Sequence, residues 1–155
     1  TALTSKIWWI YEDENGEWQA KPVADIGDAS KIPLPVDISI SSDDQLLWVD
    51  TWHDGKTRVF DISVPEKAFQ IYEKKIGNQI NMLSQSWDGK RVYFTSSLLD
   101  NWDMREGDEG DLQYFKAYNW NGSSLEHKFS IDFIKEKLGS PHQMRFGSHS
   151  LYAMQ

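Results

Sequence analysis

The chain has 155 residues, 39% hydrophobic and 14% aromatic with eight Trp, so it can build a real core and lacks the composition of a disordered segment. A formal net charge of −8 argues against a nucleic-acid or anionic-membrane partner, because phosphate binding needs clustered Lys and Arg. With no Cys, disulfides, thiolate metal sites and Cys nucleophiles are excluded within this chain.

No apolar run approaches the ~18 residues of a membrane helix. The opening TALTSKIWWIY has one Lys and no extended apolar core, so it does not read as a signal peptide. A start at Thr1 fits a processed or partial chain as well as simple removal of Met. The compartment, periplasmic or cytoplasmic, is left open by these features.

In chain order, residues 6–11 (KIWWIY) are β-branched and aromatic and predict a strand. Asn15-Gly16 predicts a type I′ hairpin, with Trp18–Ile26 as the return strand. Pro33 and Pro35 break the chain. Asp37–Ser41, Gln45–Thr51 and Thr57–Ile62 then read as strands joined by the turns 42–44 and 53–56, with a fourth strand over 69–76. A second unit starts near Asn81, turns at Trp87–Lys90 and continues in Arg91–Ser96. A long acidic excursion, Leu98–Asp111, follows. Strands Leu112–Tyr118 and Leu125–Ile131 flank the turn Asn121-Gly122. Residues 131–138 predict one or two helical turns ending at Gly139.

The two units repeat. An offset of 45 residues lays Asp43 over Asp88, Leu47 over Val92, Trp48 over Tyr93 and Val49 over Phe94. A shorter copy, HQMRFGSHSLYAM, occupies 142–154, with Leu151 and Tyr152 in the places of Leu46 and Leu47. This period with four short strands per unit predicts an all-β fold of propeller blades. Matching Asn15-Gly16 to Asn121-Gly122 makes the first hairpin the outer half of a blade. The expected organisation is an outer half-blade over 1–30, a blade over 36–76, a blade over 80–132 and an inner half-blade over 141–155. About three blades cannot close a ring, since known propellers have four or more. Completion by another chain or by a missing N-terminal part is therefore expected.

Five segments also resemble the C-terminal part of the selenium-binding protein / methanethiol oxidase family. They are KIWWIYEDENGEW, DISISSDDQLLWVDTWHDG with RVFDIS, SWDGKRVYFTSSLLDNWD, the strands through SIDF, and PHQMRF. TSSLLDNWD followed at a distance by HQMRF is the specific part, because SxDGKRxY occurs in many propellers. The chain departs from the family pattern in three places. It reads KIGNQINML where members carry a longer insertion before Gly-Gly-Pro-Gln-Met. It reads Trp52-His53-Asp54-Gly55-Lys56 where they have Trp-Leu-His-Gly-Asp. It also lacks the N-terminal part with the family's Cys motif. The resemblance implies a seven-bladed propeller, copper as cofactor, and oxidation of methanethiol by oxygen to formaldehyde, hydrogen sulfide and hydrogen peroxide. It implies as partners a small thiol substrate and the remaining N-terminal part of the propeller, carried on a separate chain or a cleaved precursor.

Imidazole suits copper, and such a site usually needs two or more nitrogens. No HxH or HxxxH pair is present, so histidines would have to come from different blades. His142 is the first candidate: it matches the family's His-x-Met/Leu-Arg segment and, by the repeat, starts an innermost strand. Its counterparts are Asp37 in the first unit and Asn81 or Met82 in the second, so Asp37, Asn81 and His142 are expected to converge at one mouth of the central channel as ligand contacts. His53, in the turn after the second strand, is the second metal candidate. His127 is expected to face solvent and His149 to sit in a turn. The excursion 98–111 does not match EF-hand spacing and reads as a solvated loop or a lid whose Trp102 packs on something. Trp8, Trp9, Trp48 and Trp52 are expected to pack between blades. No nucleophile elbow or phosphate loop is present. The reading is part of a copper-dependent thiol oxidase; the alternatives are a non-catalytic propeller binding module and an inactive family member.

Overall fold

The computed structural model describes residues 1–146, so His149 and most of the third repeat copy lie outside it. Ten strands form three antiparallel sheets. The first sheet is the hairpin β1 (Lys6–Glu12) and β2 (Trp18–Asp25). The second is the meander β3 (Pro35–Ile40), β4 (Leu46–Thr51), β5 (Lys56–Asp61) and β6 (Phe69–Lys75). The third repeats it with β7 (Met82–Gln85), β8 (Arg91–Thr95), β9 (Tyr114–Trp120) and β10 (Leu125–Asp132).

The repeat has a physical cause in its first turn. Ser41 Oγ donates to Asp43 Oδ1 at 2.6 Å and accepts from Leu46 N at 2.9 Å. Ser86 Oγ does the same with Asp88 Oδ1 at 2.5 Å and Arg91 N at 3.0 Å. These serine hydroxyls are the main reason both carboxyls sit below their ordinary pKa. The residue after each Asp takes a left-handed conformation: Gly89 at φ 66°, and Asp44 at φ 58° with the steric cost of a side chain.

Sheets stack face to face, as blades do. Leu47, Val49 and Phe60 pack against Ile7, Ala24 and Ile26 of the hairpin. On the other face Trp48 and Val59 meet Leu83, Val92, Phe94, Tyr118 and Trp120. Trp48 and Tyr72 both approach Trp120 edge-on, at 5.0 and 5.2 Å between ring centroids. The central strands β4 and β5 of the second sheet are therefore buried on both faces. The outer face of the third carries Tyr93, Phe115, Phe129 and Phe146, stacked on one another but partly open, with Phe129 48% exposed.

Several local expectations change. Only Gly16, at φ 81°, is left-handed in the first hairpin; Asn15 is not, so the turn is not type I′. The Asp13 carboxylate instead braces a longer loop, accepting from Asn15 N and Glu17 N. The ninth strand starts at Tyr114 rather than Leu112. Residues 133–137 make turns without a helix, and the stop falls at Lys137: it is left-handed at φ 57° and Leu138 N closes back onto Phe133 O. Trp48 and Trp52 are buried at 1% and 4%, but Trp8 is 42% exposed and Trp102 58%.

Candidate functional site

The innermost strands lie side by side and are joined by side chains rather than by a ladder. Asp37 Oδ2 accepts from Leu83 N at 2.9 Å, and Gln85 Nε2 donates to Ser39 Oγ at 2.7 Å. Ser84 Oγ then donates to Met144 O at 2.8 Å, which places 142–146 on the far side of β7.

His142 is the exposed end of this row. Its Nδ1 lies 3.0 Å from Ser97 O and 3.2 Å from Asn81 Nδ2. A carbonyl only accepts and the Asn81 amide nitrogen only donates, so the two neighbours ask opposite things of Nδ1. We assign the proton to Nδ1 on the shorter contact, so that it donates to Ser97 O. The Asn81 amide gives its own protons to carbonyls, Ser97 O at 2.6 Å and His142 O at 3.4 Å. Thr95 Oγ1 also donates to His142 O, at 2.8 Å. Nε2 is left with its lone pair and no hydrogen bond among the described residues. That is the form in which imidazole binds metal, with the other nitrogen oriented by a carbonyl. Asn81 is fully buried, and its Oδ1 has no partner among the described residues.

Asp37 is half-buried beside this pair. Burial pushes its carboxyl above the ordinary value, against the pull of the Leu83 and Ile38 amides and of Arg145. Asn81 and His142 are thus in contact, while Asp37 touches the same strand further along, at Leu83.

His53 is exposed and has a different setting. Its Nδ1 donates to Ile32 O at 2.7 Å, and its backbone N to Pro33 O at 3.1 Å. With Trp52 N on Leu34 O, the turn clamps a segment in which Ile32 and Leu34 are both left-handed, at φ 46° and 59°. The next residues are also committed to structure. Asp54 pairs with buried Arg58, which reaches Glu73 at 3.3 Å. Gly55 is left-handed at φ 62°, and a Cβ there would meet Gly77 O at 2.1 Å. No hydrogen bond or shared cavity joins His53 to His142, and the described residues hold no group of three or more His, Asp or Glu placed for a metal. His127 faces solvent, bonded to Ser130 Oγ at 2.7 Å.

Two buried acids escape a reading of the sequence. Asp50 is fully buried with no hydrogen-bond partner among the described residues, and Thr57 opposite it has none. Burial drives its carboxyl well above the ordinary range, Asp37 adds to this, and the nearby Thr57 hydroxyl opposes it weakly without a well-formed bond. The repeat could have flagged it, since the same offset lays Asp50 over Thr95. The second is Asp103, inside the excursion expected to be solvated. It is 4% exposed and accepts from Ser97 Oγ, Leu98 N and Gln113 Nε2. No spacing rule points to it. Elsewhere in the excursion Asp111 pairs with Lys116, and Asp100 with Arg105.

A cavity of about 550 Å³ lies away from His142, between the hairpin and the second sheet, and is lined mainly by apolar residues such as Trp9, Ile38, Ile40 and Leu47. It contains none of the candidate site residues.

Comparison with known proteins fits the fold. The family profile of the 56 kDa selenium-binding protein matches residues 1–81. A methanethiol oxidase of Ruegeria pomeroyi is 64% identical over 153 residues, 99% of this chain but 35% of that protein. The chain therefore spans about a third of the length of the curated relatives it matches. A hypothetical selenium-binding protein from Sulfolobus tokodaii superposes with a TM-score of 0.71 at 32% identity, over 85% of this chain and 36% of that one. The β-propeller domain of Myceliophteria thermophila Cps50 superposes with a TM-score of 0.55 at 11% identity, over 77% of this chain and 36% of that one, a likeness of fold alone. The three sheets are blades of a partial β-propeller.

Proposed function

Because this chain belongs to the 56 kDa selenium-binding protein family, we propose that it serves as one part of a copper-dependent thiol oxidase resembling methanethiol oxidase. The proposed reaction turns methanethiol, oxygen and water into formaldehyde, hydrogen sulfide and hydrogen peroxide. The observation that carries the reading is 64% identity to a methanethiol oxidase over 99% of the chain. The donor chemistry agrees with it: His142 offers an exposed Nε2, held by a carbonyl on Nδ1. His142 would hold the copper, which when bound accepts electrons from the thiol and passes them to oxygen. Ser97 O orients the ring, and half-buried Asp37 lines the mouth for the small thiol; Asn81, expected there as a ligand contact, is fully buried and instead braces Ser97 O and His142 O from behind.

One imidazole does not make such a site. The remaining ligands and blades are assigned to the N-terminal part of the propeller, carried on sequence outside this chain. The open aromatic face of the third sheet supports this. The repeat sets Tyr93 where Trp48 stands, and Trp48 is buried at 1% by the next blade. A second reading, a family member that keeps the fold without oxidase activity, is favoured by the turn 52–56. There His53, Asp54 and Gly55 all have structural work.

The test is copper content and thiol-dependent oxygen uptake of the native assembly, with and without His142→Ala. The oxidase reading expects bound copper, oxygen uptake, and loss of both in the variant. An assembly that holds no copper and takes up no oxygen would sink it and leave the inactive member.

A further inference from the structure

Asp103 grips a peptide group rather than a cation. Its Oδ2 accepts from Ser97 Oγ at 2.6 Å and Gln113 Nε2 at 2.8 Å, and its Oδ1 accepts from Leu98 N at 3.0 Å. It reaches them because the chain folds back: Trp102 N and Asp103 N both donate to Leu99 O, at 2.7 and 2.9 Å. Leu98 N and Ser97 O belong to one planar trans peptide, whose N–H and C=O point in opposite directions. Holding the N–H therefore aims the C=O. On that side stand His142 Nδ1 at 3.0 Å and Asn81 Nδ2 at 2.6 Å.

We infer that Asp103 is a positioning residue for His142, acting through the Ser97–Leu98 peptide. The inference rests on the reading of His142 as the copper contact. Two effects combine. The carboxylate fixes the plane of the peptide, and by accepting its N–H it strengthens the C=O as an acceptor. That carbonyl keeps the proton on Nδ1 and so presents Nε2. In many metal sites a carboxylate takes the histidine N–H directly; here one peptide unit stands between them. Anchoring of the loop does not account for the contact, because the excursion has other ties. Met104 N donates to Gln79 Oε1 at 2.7 Å, and Asn78 N to Asp111 O at 3.1 Å.

The test is the tautomer of His142 in the native assembly stripped of metal. It is read by NMR on isotope-labelled histidine, with the resonance identified by its loss in His142→Gln. Wild type is expected in the Nδ1–H form. Asp103→Ala should move the population toward Nε2–H and weaken copper binding about 10- to 100-fold, with Asp103→Asn intermediate. Ser97→Ala removes a contact to the same carboxylate but keeps the Leu98 N–H grip, so it should leave the tautomer as in wild type. A wild-type His142 in the Nε2–H form overturns the inference without recourse to any variant. So does a folded Asp103→Ala with an unchanged tautomer, or a Ser97→Ala that shifts it as far. If the tautomer follows Asp103 but the assembly takes up no copper, the positioning stands and the oxidase reading falls.

Discussion

The two complete blades share a topology and a first turn, and they part at the link between their second and third strands. In β3–β6 that link is the tight turn 52–55, and everything in it closes the blade on itself. In β7–β10 it is the excursion 98–111, which returns a carboxylate to its own starting peptide beneath His142. Each link takes part in a histidine–carbonyl contact, but from opposite sides: the first holds the histidine, His53, while Ser97, where the second begins, holds the carbonyl. Ile32 O takes His53 Nδ1 at 2.7 Å and Ser97 O takes His142 Nδ1 at 3.0 Å. Only the second carbonyl belongs to a peptide held from behind by an acid. The same repeat unit can thus spend its variable link on stability or on presenting a side chain, because the strands on either side are fixed by their own packing.

That contrast can be broken at its structural end first. Gly55→Ala puts a Cβ against Gly77 O and keeps a left-handed backbone. Overpacking and conformational strain together should cost about 3 kcal/mol or more, read as a lower midpoint in thermal or urea unfolding of the native assembly. Next, Arg58→Met leaves Asp54 and Glu73 without their buried cation. Removing one partner of a buried pair costs about 3–5 kcal/mol. Both acids keep some solvent contact, so about 2–3 kcal/mol is expected, measured in the same way.

Asp50 sharpens the comparison through pH. Its carboxyl is raised above the ordinary 3.8 on folding, so the folded chain holds the proton longer than the unfolded one. Well below 3.8 both forms are protonated and nothing is lost. As pH rises past that value the unfolded chain ionises first, and stability falls until the folded-state value is reached. Asp50→Thr, which copies the second blade's Thr95, should flatten that fall and raise stability at neutral pH by roughly 1–2 kcal/mol. A melting temperature equally pH-dependent in both proteins would contradict the assignment. The smallest effect is Asp44→Gly, which copies Gly89 and relieves a left-handed side chain. A gain of about 0.5–1 kcal/mol in unfolding free energy is expected.

Much of the fold was legible because its signals are local. The β-branched and aromatic run KIWWIY, the Ser-x-Asp turns and the proline break each specify a strand or its end through contacts within a few residues. The repeat then sorted the faces, since Leu47 and Val92 turn toward the previous blade and Trp48 and Tyr93 toward the next. Asn15-Gly16 misled because Asp13, two residues upstream, took the loop amides that a type I′ turn leaves free. Of the site, the contact between Asn81 and His142 was legible through equivalent positions in the repeat. Ser97 and Asp103 were not, because their part depends on which way one peptide plane faces, and no residue type encodes that. Acidic residues in a long excursion look alike in sequence, yet Asp103 is buried while Asp100 forms a surface pair with Arg105.

That last pair has a consequence for the covalent continuity of the chain. Arg105 is a trypsin target two residues beyond Asp103, with its side chain 65% exposed. A single cut after it leaves the Asp103 grip on one fragment and Gln113 on the other. The fragments remain joined by the β8–β9 ladder from Arg91↔Asn119 to Thr95↔Phe115. The blade that orients His142 can therefore be built from two polypeptides. A nicked protein should co-elute as one particle and separate only under denaturing conditions.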